Sequence, residues 1–217
     1  MNNSSSVVKK IYLTVFAIAV WVALAGQLYL IIQNRTVSVI STIIRYISFF
    51  TILTNLLVAL CVPTLLQKRN DNGMNFFSRR KTITAIAVYI TIVGLVYNLV
   101  LRFLWQPQGL QLVVDELLHS VVPLLFVFYW LFFVPSAGLK AKDILPWLLY
   151  PLAYLIYTLI RGAITGLYPY PFIDVVQLGY NKVLFNSGVL VIVFVIFSLL
   201  FVWMDSLKRT NSSRLAA

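Results

Sequence analysis

His119 is the only histidine in the chain, and Asp115 and Glu116 stand four and three residues before it. On a helix that spacing puts both carboxylates on the face that carries the imidazole. All three lie in an apolar stretch, Leu112 to Val134 (LVVDELLHSVVPLLFVFYWLFFV), long enough to cross a bilayer. An ionisable side chain at membrane depth has no bulk water to solvate it, so it marks a functional site facing the interior of a bundle. A hydroxyl becomes a useful nucleophile when an imidazole takes its proton, and the imidazole works better when a third group orients it. Thr51 can supply that hydroxyl, His119 the base, and Asp115 or Glu116 the orienting acid.

The elements that must hold these residues follow from composition. Of 217 residues, 61% are hydrophobic and 11% charged, a balance that specifies an integral membrane protein. Runs of about 20 apolar residues, the length of a spanning helix, occur at Ile11 to Gln33, Ile47 to Leu66, Thr82 to Leu104, Leu112 to Val134, Ile144 to Ile160 and Val183 to Met204. The expected fold is all-α: a polytopic membrane domain of six transmembrane helices over 11-204, between an N-terminal tail at 1-10 and a basic C-terminal tail at 205-217. Pro146 and Pro151 interrupt the fifth run, which membrane helices tolerate when neighbours re-satisfy the backbone. The first run is longer than a signal-peptide core and is expected to stay as a helix. Cys61, the single cysteine, excludes an internal disulfide.

A net charge of +11 would suit nucleic acid if it were clustered, but it is sided instead. Lys9, Lys10, Lys68, Arg69, Arg79, Arg80, Lys81, Lys140, Lys142, Lys208, Arg209 and Arg214 flank one face of a six-helix arrangement. Arg35, Arg45, Arg102, Arg161 and Lys182 flank the other. By the positive-inside rule the first face, with both termini, is cytoplasmic. The charge then reflects topology and attraction to anionic lipid, and no nucleic-acid partner is expected.

Topology assigns depths. At about 1.5 Å per residue, His119 lies roughly 10 Å below the outer end of the fourth run and Thr51 roughly 9 Å below that of the second. Thr54 and Asn55 share the Thr51 face, while Gln27, Asn98, Arg102 and Asn186 occupy the outer halves of their runs, and Asp174 and Asn181 cap the same end. An outward-opening polar pocket is expected, with Asn55, Asn98 or Asn186 donating to an oxyanion. Pro123 has no N–H for the His119 carbonyl, so a kink should free an acceptor there.

Two other chemistries use the same residues. In a proton-coupled transporter or lipid carrier, Asp115, Glu116 and His119 would shuttle protons and Arg102 would bind an anion; against it stand the one-sided polar distribution and the lack of an internal repeat. A metal site built on Glu116 and His119 would need further histidines, which the chain lacks. No metal and no cofactor are expected.

Three strings, FFTILTNLLV around Thr51, DELLHSVVPLLF around His119 and TGLYPYPF from Thr165 to Phe172, together resemble the androgen-induced-protein family and its six-helix bacterial relatives. The resemblance implies a multipass threonine hydrolase of the bacterial plasma membrane that cleaves fatty acid esters of hydroxy fatty acids, with Thr51 as nucleophile and His119 as base. Eukaryotic relatives commonly carry two histidines where this chain has Gly162 and Ala163, a departure that bears on substrate range. The implied partner is a lipid substrate. Small residues at Gly162, Gly166 and Gly188 form no clear dimerisation stripe, and no oligomeric state is read.

Overall fold

The computed structural model describes residues 3–66 and 75–214. Lys68 and Arg69, and the loop they belong to, lie outside the described residues. Those described form helices and connecting turns, without a strand. Among the described residues five helices are long and apolar enough to cross a membrane, or six if one bent pair makes a single span. The helices are α1 (Asn3–Gln33), α2 (Val39–Ile47), α3 (Phe50–Leu66), α4 (Arg80–Leu99), α5 (Gly109–Glu116), α6 (Val122–Phe133), α7 (Ile144–Thr165) and α8 (Val175–Arg214). The chain divides into two compact units, Met1–Pro135 and Ser136–Ala217.

The second apolar run, Ile47 to Leu66, forms one helix, α3, from Phe50 onward. What the sequence reading did not expect is the separate helix α2, which ends at Ile47 and meets α3 at a bend of 74°. Local hydrogen bonds account for the corner. The Ser48 hydroxyl donates back to the Ile44 carbonyl at 2.6 Å, and the Tyr46 hydroxyl ties α2 to α1 at the Leu24 carbonyl, 2.8 Å away. Thr51 therefore sits in the first turn of a new helix, and a depth counted from Arg45 along one axis does not hold. At the ends, α1 begins at Asn3 instead of Ile11, and α8 runs through the expected tail to Arg214.

In the first unit the core is built between α1, α3, α4 and α6. Leu13, Phe16, Val20 and Ala23 of α1, Val58 and Val62 of α3, Ala87 and Ile90 of α4, and Val122 and Phe126 of α6 are all buried. The Trp130 indole, buried with them, donates to the Thr84 hydroxyl at 2.8 Å and fixes α6 against α4. The residues that carry the chemistry sit on this frame.

The second unit is α7, a turn and α8. Gly166 ends α7 with φ 70, the left-handed conformation that glycine adopts without penalty. The segment Thr165 to Phe172 is the turn itself. Tyr168 covers Gly162 so closely that a Cβ there would lie 2.0 Å from the ring, and the Tyr170 and Phe172 rings stack at 5.2 Å. The Asp174 carboxylate accepts from the Val176 and Gln177 N–H groups at 2.9 and 3.1 Å, capping α8 as its position suggested.

Candidate functional site

Between α5 and α6 the helix widens into a π turn, Leu117–Val121, with His119 at its centre. The Val122 N–H reaches back five residues to the Leu117 carbonyl. The Leu118 carbonyl thereby loses its usual partner, Val122, and five residues on stands Pro123, which has no N–H. The His119 carbonyl loses its usual partner to the same proline. Two consecutive carbonyls are thus removed from the helical ladder inside an apolar bundle, where each needs a donor.

Two asparagines supply the donors from two neighbouring helices. Asn55 of α3 donates through Nδ2 to the Leu118 carbonyl at 3.2 Å and to its own preceding turn at the Thr51 carbonyl, 2.9 Å. Asn98 of α4 donates through Nδ2 to the His119 carbonyl at 3.3 Å and to the Gly94 carbonyl at 2.8 Å. These amides are therefore committed to main-chain carbonyls and act as scaffold, not as the oxyanion donors the sequence suggested. Asn186 belongs to the second unit, where it donates to the Phe172 carbonyl at 2.8 Å. Pro123 frees an acceptor at His119 as expected, and the distortion is a π turn that frees a second one.

The His119 ring is held at one edge and one face. Its Nδ1 lies 2.9 Å from the Asp115 carbonyl oxygen. A carbonyl only accepts, so Nδ1 carries the proton and Nε2 of the neutral ring keeps its lone pair. The imidazole stacks on Tyr97 with ring centroids 4.0 Å apart and planes within 10°. On Tyr97 also rests the Arg102 guanidinium, 5.5 Å from the ring centroid.

Neither carboxylate does the orienting expected of it. Asp115 acts through its backbone carbonyl, while its carboxylate, buried, accepts from the Trp105 indole at 3.0 Å and from Gln111 at 2.9 Å. Gln111 also donates to Gln27 at 2.9 Å, which joins α1 to the cluster. Glu116 is paired with Arg102 at the half-exposed edge. Arg102 thus has an internal counter-ion, and Ser120 accepts from it at 3.4 Å.

Thr51, Thr54 and Asn55 are buried on α3. The Asn55 amide spans from the turn of Thr51 to the turn of His119, so α3 and the π turn meet at the level of both residues. Among the described residues no group of three or more His, Cys, Asp or Glu side chains could hold a metal ion. Comparison with known protein families, with curated proteins and with solved structures yields no match.

Sequence reasoning missed Tyr97, Gly94, Trp105 and Gln111. Tyr97 was one aromatic among many, but its place between Gly94 and Asn98 was a readable signal. Gly94, Tyr97 and Asn98 lie three and four residues apart and so share one helix face.

Proposed function

We propose that this chain is a multipass hydrolase that cleaves lipid esters within the membrane, with Thr51 as nucleophile and His119 as base, as its resemblance to the androgen-induced-protein family implies. One observation carries the reading: the Asn55 amide ties the turn of Thr51 to the turn of His119, whose proton-bearing Nδ1 leaves Nε2 as the basic nitrogen. Thr51 Oγ1 attacks the ester carbonyl carbon while Nε2 takes the hydroxyl proton. The imidazolium then returns that proton to the departing alkoxide as the carbonyl–oxygen bond breaks, leaving an acyl-threonine. Water, deprotonated by the same nitrogen, attacks the acyl carbon, and the threonine oxygen leaves with the proton. Fatty-acyl esters of hydroxy fatty acids suit a site within such helices, since their ester group can sit near the headgroup boundary while the chains stay in hydrocarbon.

The topology that goes with this reading has six spans, α2 and α3 together forming one, and both termini on the cytoplasmic side of a bacterial plasma membrane. A cysteine introduced near Arg79 should be shielded from an impermeant thiol reagent applied outside, while one near Gln108 should react. The decisive test is covalent labelling of the detergent-purified protein by a fluorophosphonate. Wild type should label and hydrolyse the ester, and Thr51→Ala should do neither. A Thr51→Ala protein that labels and turns over like wild type would end the hydrolase reading and leave a carrier built on Asp115, Glu116 and His119.

A further inference from the structure

The face of α4 turned to His119 is shaped for the π turn at every position. Gly94 gives the turn room: a Cβ there would stand 3.1 Å from the His119 carbonyl oxygen and 3.2 Å from the Pro123 Cβ, tighter than ordinary contact. Asn98, one turn later, binds the His119 carbonyl at 3.3 Å. Between them Tyr97, 3% exposed, lies flat against the imidazole. Its ring also carries the Arg102 guanidinium, which is anchored by Glu116. Arg102 and Glu116 both precede the π turn in the sequence and pair beside it, so the aromatic plane rests against a cation that is itself anchored.

From this geometry we infer that Tyr97 is a positioning residue. With Gly94 and Asn98 it seats the π turn, and its ring sets the plane of His119 so that Nδ1 stays on the Asp115 carbonyl and Nε2 is presented to the nucleophile. The inference rests on the hydrolase reading for its use in catalysis, but not for its physical content. An imidazole on an open helix turn can rotate about its side-chain bonds and exchange its proton between two nitrogens. Here the carbonyl at 2.9 Å admits only one tautomer, and the stacked ring opposes rotation away from it. The phenol oxygen plays no part in this, so phenylalanine should serve at position 97, whereas a side chain without a flat face should not.

Because His119 is the only histidine, protein labelled with ¹⁵N-histidine gives one pair of ring-nitrogen signals. In wild-type protein above the pH at which the ring is neutral, Nδ1 should appear as the protonated nitrogen and Nε2 as the unprotonated one. Tyr97→Phe should keep that spectrum. Tyr97→Leu should give two exchanging tautomers and lower kcat for the ester by about 10²-fold, the scale of a roughly 1 Å misplacement, with KM little changed. Gly94→Ala, which presses on the turn from the same helix, should move the signals in the same direction by less.

Wild-type protein protonated on Nε2, or a Tyr97→Leu spectrum identical to wild type, would overturn the inference. The wild-type spectrum needs no variant to fold, and a Tyr97→Leu protein that melts like wild type removes misfolding as the cause of any change. If the tautomer is as expected but Thr51→Ala still hydrolyses ester, the seat stands and the hydrolase reading falls.

Discussion

Two acids lie buried among the described residues, and their surroundings differ in kind. Asp205 of the second unit is 2% exposed, and its two oxygens accept from the Ser136 hydroxyl at 3.0 Å and from the Ala137 and Leu139 N–H groups at 2.8 and 3.0 Å. All the donors come from one short loop, and no imidazole stands among them. Asp115 is 5% exposed and also satisfied, yet its donors come from separate elements, and its backbone holds the only imidazole. A buried charge whose partners only neutralise it acts as a latch. A buried charge whose neighbours include a nitrogen with its lone pair left over can do chemistry.

The comparison breaks most sharply on Thr51→Ala. Hydrolysis and fluorophosphonate labelling should disappear while the protein still folds and melts only a few degrees lower, because one buried hydroxyl and one methyl are lost and the α3 frame remains. His119→Ala should lower turnover by roughly 10²–10⁴-fold, the range for loss of a general base. With His119 intact, the rate should rise with pH as the imidazole gives up its proton, since only the neutral ring accepts one from Thr51. A rate that falls through that titration would mean the charged form is the working one.

Asp205→Ala should do the opposite. It strips acceptors from one hydroxyl and two main-chain N–H groups, at about 1–3 kcal/mol for each donor left buried without a partner. Thermal unfolding should move clearly downward, while the labelling rate per folded molecule stays that of wild type. If Asp205→Ala abolished labelling in protein that remains folded, Asp205 would belong with the chemistry and the distinction between the two acids would collapse.

Much of this frame is legible in the sequence, because helices in an apolar solvent must be long and nearly continuous. The apolar runs around Val20, Ile90 and Phe126 locate α1, α4 and α6 directly. The Pro123 effect on the His119 carbonyl also follows from proline chemistry alone. The corner at Ser48 does not, because the hydrogen bonds that hold it, from Ser48 to the Ile44 carbonyl and from Tyr46 to the Leu24 carbonyl, leave no mark in hydropathy. Nor does the destination of the Asn55 and Asn98 amides, since it depends on which carbonyls a π turn releases. The carboxylates of Asp115 and Glu116 were placed on the imidazole face by helical spacing, but competing partners, Trp105 and Gln111 for one and Arg102 for the other, take them away.

The smallest effect separates the two units again, through polar atoms that lack partners. Thr158 Oγ1 of α7 and Asn55 Oδ1 of α3 are both buried without a hydrogen bond among the described residues. For Thr158 the hydroxyl does nothing, so Thr158→Val, which keeps the shape and removes the polar atom, should be neutral or raise stability by up to about 1 kcal/mol. It should leave ester turnover unchanged. Asn55→Leu also removes an unpartnered oxygen, but it takes with it the amide that holds the Leu118 carbonyl, so any gain is offset and the π turn loosens. Turnover should fall and the histidine tautomers should begin to mix. Measuring both variants by thermal unfolding and by ester turnover distinguishes a polar atom that is merely buried from one whose residue holds the site together. Equal behaviour of the two would show that the Asn55 link between α3 and the π turn has no functional weight.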